Sequence, residues 1–120
     1  MTGATIRNLS RGTVLATQAG VAQSFWARLV GLIGRAHLPQ GAGLLFPGTP
    51  SVHTCFMRFP IDLVFYGADG EVLSVVHALP PWRVSRYYRR ARGVLELPVG
   101  TARTTATQPG DVLAFDVPLQ

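Results

Sequence analysis

Ala68-Asp69-Gly70 separates two β-prone runs, Ile61-Asp62-Leu63-Val64-Phe65-Tyr66 and residues 71–77. Asp-Gly between such runs is a strong turn signal, because both residues accept the backbone angles of a tight reversal. The middle of the chain therefore reads as an antiparallel hairpin, and the rest has to build a sheet around it. Pro60 removes a backbone donor just before the first run and marks a strand end, edge or bulge.

The same punctuation recurs along the chain. Residues 6–9 and 13–17 are short β-prone segments around Ser10-Arg11-Gly12, a second hairpin. Residues 44–46 form a short apolar strand between glycines. Residues 52–59 alternate and read as a strand, residues 94–97 as another, and residues 112–117 as a closing strand after Pro109-Gly110-Asp111. One segment has a different period. Phe25, Leu29 and Leu32 follow i, i+4, i+7 spacing, which predicts an amphipathic helix over 22–33, with Ser24 as N-cap and Gly34 as terminator. A short helix is expected near 99–106. About seven strands with one clear helix predict a mainly β domain, a compact antiparallel sandwich or partly closed, jelly-roll-like barrel. Helices do not alternate with strands, which disfavours a parallel βαβ architecture.

The 120 residues suggest one domain over 1–120, and 48% hydrophobic residues suffice for a self-supporting core. No apolar run approaches the ~18 residues of a membrane-spanning helix. The N-terminal residues lack the apolar core of a signal peptide, so a cytoplasmic location is expected. The single cysteine makes no internal disulfide, no cofactor is implied, and a monomer is expected. All 11 basic residues are arginine and the net charge is +5, which favours acidic partners.

Residues 41–43, Gly-Ala-Gly, neither follow a strand nor open a helix, so a nucleotide-binding loop is rejected. On a strand over 52–59, His53, Cys55 and Met57 would share one face and present soft ligands for Cu(I), or Zn(II) at the first two, with His77 or His37 completing the set. The competing reading is core or rim packing. Cys55 as a nucleophile would need His53, His77 or Arg58 beside it. Asp62, inside an apolar run, should be exposed, protonated or paired; it either accepts hydrogen bonds from nearby backbone or from an arginine such as Arg58, or faces a ligand. Glu96 poses the same question, and Asp62, Glu96 and Asp111 are candidates for lining one cleft.

Residues 81–93, PWRVSRYYRRARG, mix Arg83, Arg86, Arg89, Arg90 and Arg92 with Trp82, Tyr87 and Tyr88. Arginine pairs with phosphate and carboxylate, and aromatic rings stack. No RNA-binding signature accompanies the cluster, so nucleic acid is disfavoured and an anionic small molecule or acidic partner is the expected ligand. The competing reading is a solvated loop whose aromatic rings pack down under arginine stems.

Taken in order, Gly31-Leu32-Ile33-Gly34-Arg35, Gly43-Leu44-Leu45-Phe46, Phe56-Met57, Pro60-Ile61-Asp62-Leu63-Val64-Phe65, Asp69-Gly70, Val94-Leu95-Glu96-Leu97-Pro98 with Gly100, and Gly110-Asp111 resemble the family known as domain of unknown function 192. The likeness runs from about residue 15 to 115. It implies a compact, mainly β domain with a jelly-roll-like or barrel-like core, no established activity, and no catalytic residues to carry over. Many members are exported behind an N-terminal signal, a pattern this chain lacks. Phe56 stands where the pattern often has Trp, and His53 and Cys55 lie outside it. The expectation is a non-enzymatic binding or accessory module. The alternative is a metal-binding or thiol-dependent protein centred on His53 and Cys55.

Overall fold

The strand Ile61–Tyr66 is buried along nearly its whole length, yet its alternate residues belong to two different cores. In the computed structural model, which describes residues 3–21, 37–55 and 57–116, it is one of seven strands. These are β1 (Ala4–Asn8), β2 (Thr13–Val21), β3 (Ala42–Pro47), β4 (Ile61–Tyr66), β5 (Val72–Leu79), β6 (Gly93–Pro98) and β7 (Leu113–Asp116). They form one sheet in the order β5-β4-β6-β3-β2-β1-β7. The expected mainly β architecture is present as a curled half-barrel. Its curl brings the two edges together at one end, where Val72 N–H donates to Asp111 O at 2.7 Å and Gly110 N–H donates to Val72 O at 2.9 Å.

Side-chain alternation explains the two cores. Val64, with Leu45, Leu95 and Leu97, packs against Ile6, Leu15 and Leu113 on one face of the sheet. Ile61, Leu63 and Phe65 join Phe46, Val94, Met57 and Phe59 on the other. Strands β4 and β6 are central and covered on both sides, which is why they are near-continuously apolar. Each large side chain buried there contributes about 1.5–3 kcal/mol of transfer free energy.

Both expected hairpins are present. The first joins β1 to β2, with Asn8 opposite Thr13. The second joins β4 to β5 through a 3-10 turn at Ala68–Gly70. Asp69 adopts φ 63° and Gly70 φ 79°. A β-carbon on Gly70 would run into the Leu113 carbonyl, so the close crossing of β7 also requires glycine.

One pairing departs from the antiparallel expectation. Strands β2 and β3 run parallel, with Gln18 opposite Ala42 and Val21 opposite Leu45. A parallel pair needs a long crossover, and residues 22–41 supply it. The helix expected over 22–33 lies outside the described residues. The short helix expected near 99–106 is α1 (Thr101–Thr104), the one α-helix among the described residues. No helix among them is long and apolar enough to cross a membrane.

Among the described residues of 52–59 the expected strand is absent, and of these His53 alone makes a ladder contact, an isolated antiparallel bridge to Val84. The segment is held instead by the loop that follows β5.

Candidate functional site

Residues 49–59 and 80–92 lie over the face of the sheet that carries Phe46, Phe65 and Val94, and they are stitched to each other. Tyr88 N–H donates to Pro50 O at 2.8 Å, Ser85 N–H to Val52 O at 2.8 Å, Thr54 N–H to Arg83 O at 2.8 Å, and Trp82 N–H to Thr54 O at 3.0 Å. Side chains complete the ribbon. Arg83 N–H donates to Thr54 Oγ1 at 2.9 Å, Thr54 Oγ1 to Pro80 O at 2.6 Å, and Val52 N–H to Ser85 Oγ at 3.0 Å.

The two sides of this ribbon differ. Inward, Thr54, Met57 and Phe59 are buried, and half-buried Tyr88 sets its ring 4.3 Å from that of Phe65. Ser74 Oγ donates to the Tyr88 hydroxyl at 3.0 Å. Outward, Trp82 is 58% exposed, Val84 69% and Tyr87 70%. All five arginines of the loop, Arg83, Arg86, Arg89, Arg90 and Arg92, are exposed. Tyr88 packs down onto Phe65, whereas Trp82 and Tyr87 are more than half exposed. Trp82 holds φ 63°, in the left-handed region that a bulky side chain rarely adopts. The hydrogen bonds to Thr54 at Trp82 N–H and Arg83 N–H fix that conformation.

Charge is segregated onto these two segments. They hold six of the eleven arginines and none of the six carboxylates; the rest of the chain has five arginines against six carboxylates. Among the described residues none of the six is in an ion pair. The pair that does form, Arg11 Nε to Asp111 Oδ2 at 3.2 Å, lies outside these segments.

The structure divides the loop arginines. Arg89, Arg90 and Arg92 line an open groove of about 560 Å³ together with Gly67, Ala68, Asp69, Glu71, Leu73 and Ala91. The backbone beneath is fixed, since Arg92 N–H donates to Tyr66 O at 2.7 Å and Gly48 N–H donates to Arg92 O at 2.6 Å. Arg83 and Arg86 are not part of this groove. They flank the exposed Trp82, Val84 and Tyr87.

Asp62 has no solvent-exposed surface. Its Oδ1 accepts from Ala78 N–H at 2.8 Å, and its Oδ2 accepts from Gly100 N–H and Ala102 N–H, each at 3.0 Å. The carboxylate ties the start of β4 to the end of β5 and to the first turn of α1, where negative charge suits the helix dipole. Among the described residues it serves the scaffold.

The three acidic candidates are not gathered. Asp62 is opposite Leu97, whereas Glu96 is opposite Leu63, so strand alternation places the two carboxylates on different faces of the sheet. Asp111 is bonded elsewhere, accepting from Asn8 Nδ2 at 3.0 Å, Gln108 N–H at 2.9 Å and Arg11 Nε at 3.2 Å. Burial by itself would raise its pKa, but the hydrogen bonds from Asn8 and Gln108 and the Arg11 guanidinium outweigh that and hold it below the usual carboxylate range.

His53, Cys55 and Met57 do not share a face, because the strand that would align them is absent. His53 is exposed, Cys55 is half-buried and free, and Met57 is in the core. His53 Nδ1 accepts from Cys55 N–H at 3.3 Å, a local turn contact. Among the described residues no group of three or more His, Cys, Asp or Glu side chains is placed to hold a metal ion.

Thr54 is the residue sequence reasoning missed. Nothing marks it in the sequence, since its role depends on a partner segment about 30 residues away.

Comparison with known proteins adds the family and the fold. The model of the family DUF192, described as "Uncharacterized ACR, COG1430", matches residues 6–115. A UPF0127 protein of Pyrococcus furiosus is 28% identical over 116 residues, covering 91% of this chain and 96% of its own length. A UPF0127 protein of Thermococcus sibiricus is 26% identical over 114 residues, covering 92% and 73% respectively. The crystal structure of a protein of unknown function from Novosphingobium aromaticivorans superposes with a TM-score of 0.77 at 23% identity, covering 92% of this chain and 82% of that one. That last likeness concerns the fold.

Proposed function

The chain belongs to the uncharacterised family DUF192, and we propose that within it this protein is a non-enzymatic binding module for an anionic ligand or partner, engaged through the arginines of residues 80–92. The observation that carries this reading is the segregation of charge, six arginines and no carboxylate on two segments locked together by backbone hydrogen bonds. Arginines without ion pairs among the described residues, on a fixed backbone, are pre-organised for carboxylate or phosphate, whose planar or tetrahedral oxygens match the guanidinium fork. Arg89, Arg90 and Arg92 bring three positive charges to the groove against the two carboxylates of Asp69 and Glu71, and the exposed Arg83 and Arg86 add to the cationic loop.

Retention on immobilised heparin at low salt tests the reading. The wild-type chain should bind and elute with rising salt, and the variant with Arg86, Arg89 and Arg90 all changed to Ala should elute at markedly lower salt. Equal retention of the two would overturn it. A metal or thiol role at His53 and Cys55 has no comparable support, because exposed His53 and core-packed Met57 do not converge.

A further inference from the structure

Trp82, Val84 and Tyr87 are each more than half exposed within six residues of one another, on the same loop as the arginines. Water-facing aromatic and aliphatic side chains of this size are ordinary when scattered and informative when clustered. These are clustered, and they are held rather than mobile. Thr54 is fully buried beneath them and fixes the backbone at Trp82 and Arg83, while Ser85 N–H is tied to Val52 O.

The inventory of this surface is narrow. Residues 49–59 and 80–92 contain no Asp, Glu, Asn or Gln. A surface that reads base edges or a specific peptide normally presents such acceptors alongside its donors. This one presents guanidinium groups, aromatic rings, the His53 imidazole, an isopropyl group and prolines. Val84, among the most exposed of the large apolar residues, has no ring to stack on a base. Cationic heads around an apolar tip match a layer with phosphates outside and hydrocarbon beneath, where Trp and Tyr sit at headgroup depth and Arg pairs with lipid phosphate.

We infer that the loop carrying the exposed Trp82, Val84 and Tyr87 docks on an anionic phospholipid surface. Arg83, Arg86, Arg89 and Arg90 contact the headgroup phosphates, and the three apolar side chains enter the interface. This rests on the reading of the arginine loop as an anion-binding surface and names the anion. It is a peripheral contact of the folded domain and involves no membrane-crossing element.

Co-sedimentation of the full chain with sonicated vesicles tests the inference. Vesicles are made of phosphatidylcholine alone or of an equal mixture with phosphatidylglycerol, and binding to heparin is measured in parallel. The wild-type chain should sediment with the mixed vesicles and not with phosphatidylcholine alone. Arg86→Ala should lower partitioning about fivefold. Val84→Ser and Tyr87→Ala, which change no charge, should each lower it at least fivefold and leave heparin binding intact. Both positions are solvent-facing, so the variants fold, and far-ultraviolet circular dichroism checks this. Vesicle binding unaffected by Val84→Ser and Tyr87→Ala would overturn insertion and with it the inference. Binding to heparin without binding to vesicles would overturn the lipid assignment and leave the anion reading standing. Binding to neither would overturn both.

Discussion

Thr54 and Arg83 exchange hydrogen bonds in both directions. Thr54 N–H donates to the Arg83 carbonyl at 2.8 Å, and Arg83 N–H donates to Thr54 Oγ1 at 2.9 Å. A buried hydroxyl thus completes what a regular strand would have done with backbone alone. It holds a cationic, aromatic loop in one conformation above the sheet.

Replacing Thr54 with Val keeps the shape and removes the hydroxyl. Arg83 N–H loses its acceptor and Pro80 O loses its donor. The loss should cost about 1–3 kcal/mol in urea unfolding. Amide exchange at Trp82 and Arg83 should accelerate more than exchange in β4 or β6. Uniform acceleration across the sheet would show that the clamp is not local.

Asp62→Ala strands three backbone N–H groups, those of Ala78, Gly100 and Ala102. Ala78 holds φ 52°, a conformation the Asp62 bond helps to impose. Ala102 is buried, whereas Ala78 and Gly100 are exposed and their N–H groups can turn to water, so a loss of about 1–3 kcal/mol is expected. Asp62→Asn retains one acceptor oxygen and should fall between. A change below ~1 kcal/mol for Asp62→Ala would contradict the scaffold role.

Much of the sheet was legible in the sequence, and the reasons are local. Asp69-Gly70 announces its hairpin through the backbone angles it permits, and the Ser10-Arg11-Gly12 turn does the same. The parallel pairing of β2 and β3 carries no local signal, because a crossover is defined by where a strand returns. Alternation misled at residues 52–59. Buried Thr54 beside exposed His53 and half-buried Cys55 gives a polarity pattern resembling a strand, although the segment is fixed by contacts with residues 80–88. The arginine cluster was visible from composition alone. Its division into a groove and an apolar-tipped face was not, since Tyr88 packs on Phe65 while its neighbour Tyr87 faces water.

Thr101 Oγ1 is buried without a hydrogen-bond partner among the described residues, in contrast to Thr105 and Thr107, which bond each other at 2.8 Å. An orphaned hydroxyl is a standing desolvation cost. Thr101→Val should therefore be neutral or stabilise by up to about 1 kcal/mol, seen as an unchanged or raised thermal midpoint. A loss above ~1 kcal/mol would mean that the hydroxyl has a partner, such as bound water.

Asp111 joins the β1–β2 turn to the turn before β7 through Asn8, Arg11 and Gln108, and its pKa is held below the usual carboxylate value. A depressed folded-state pKa means that the unfolded chain binds the proton more readily. The stabilisation is then complete above the unfolded pKa of about 4 and is lost as pH falls through the lower folded value. Urea midpoints should be flat with respect to this group from neutral pH to about 5, and should fall below 4. Asn8→Ala removes the leading hydrogen-bond contribution to the depression, so the Asp111 carboxyl should titrate at higher pH in a carbon-detected NMR titration. The acid loss assigned to Asp111 should shrink with it. Raising the salt concentration tests the Arg11 contribution separately. That pair is partly exposed and is screened, whereas the Asn8 and Gln108 bonds are not. An Asp111 titration unmoved by Asn8→Ala would assign the depression to Gln108 and Arg11 instead.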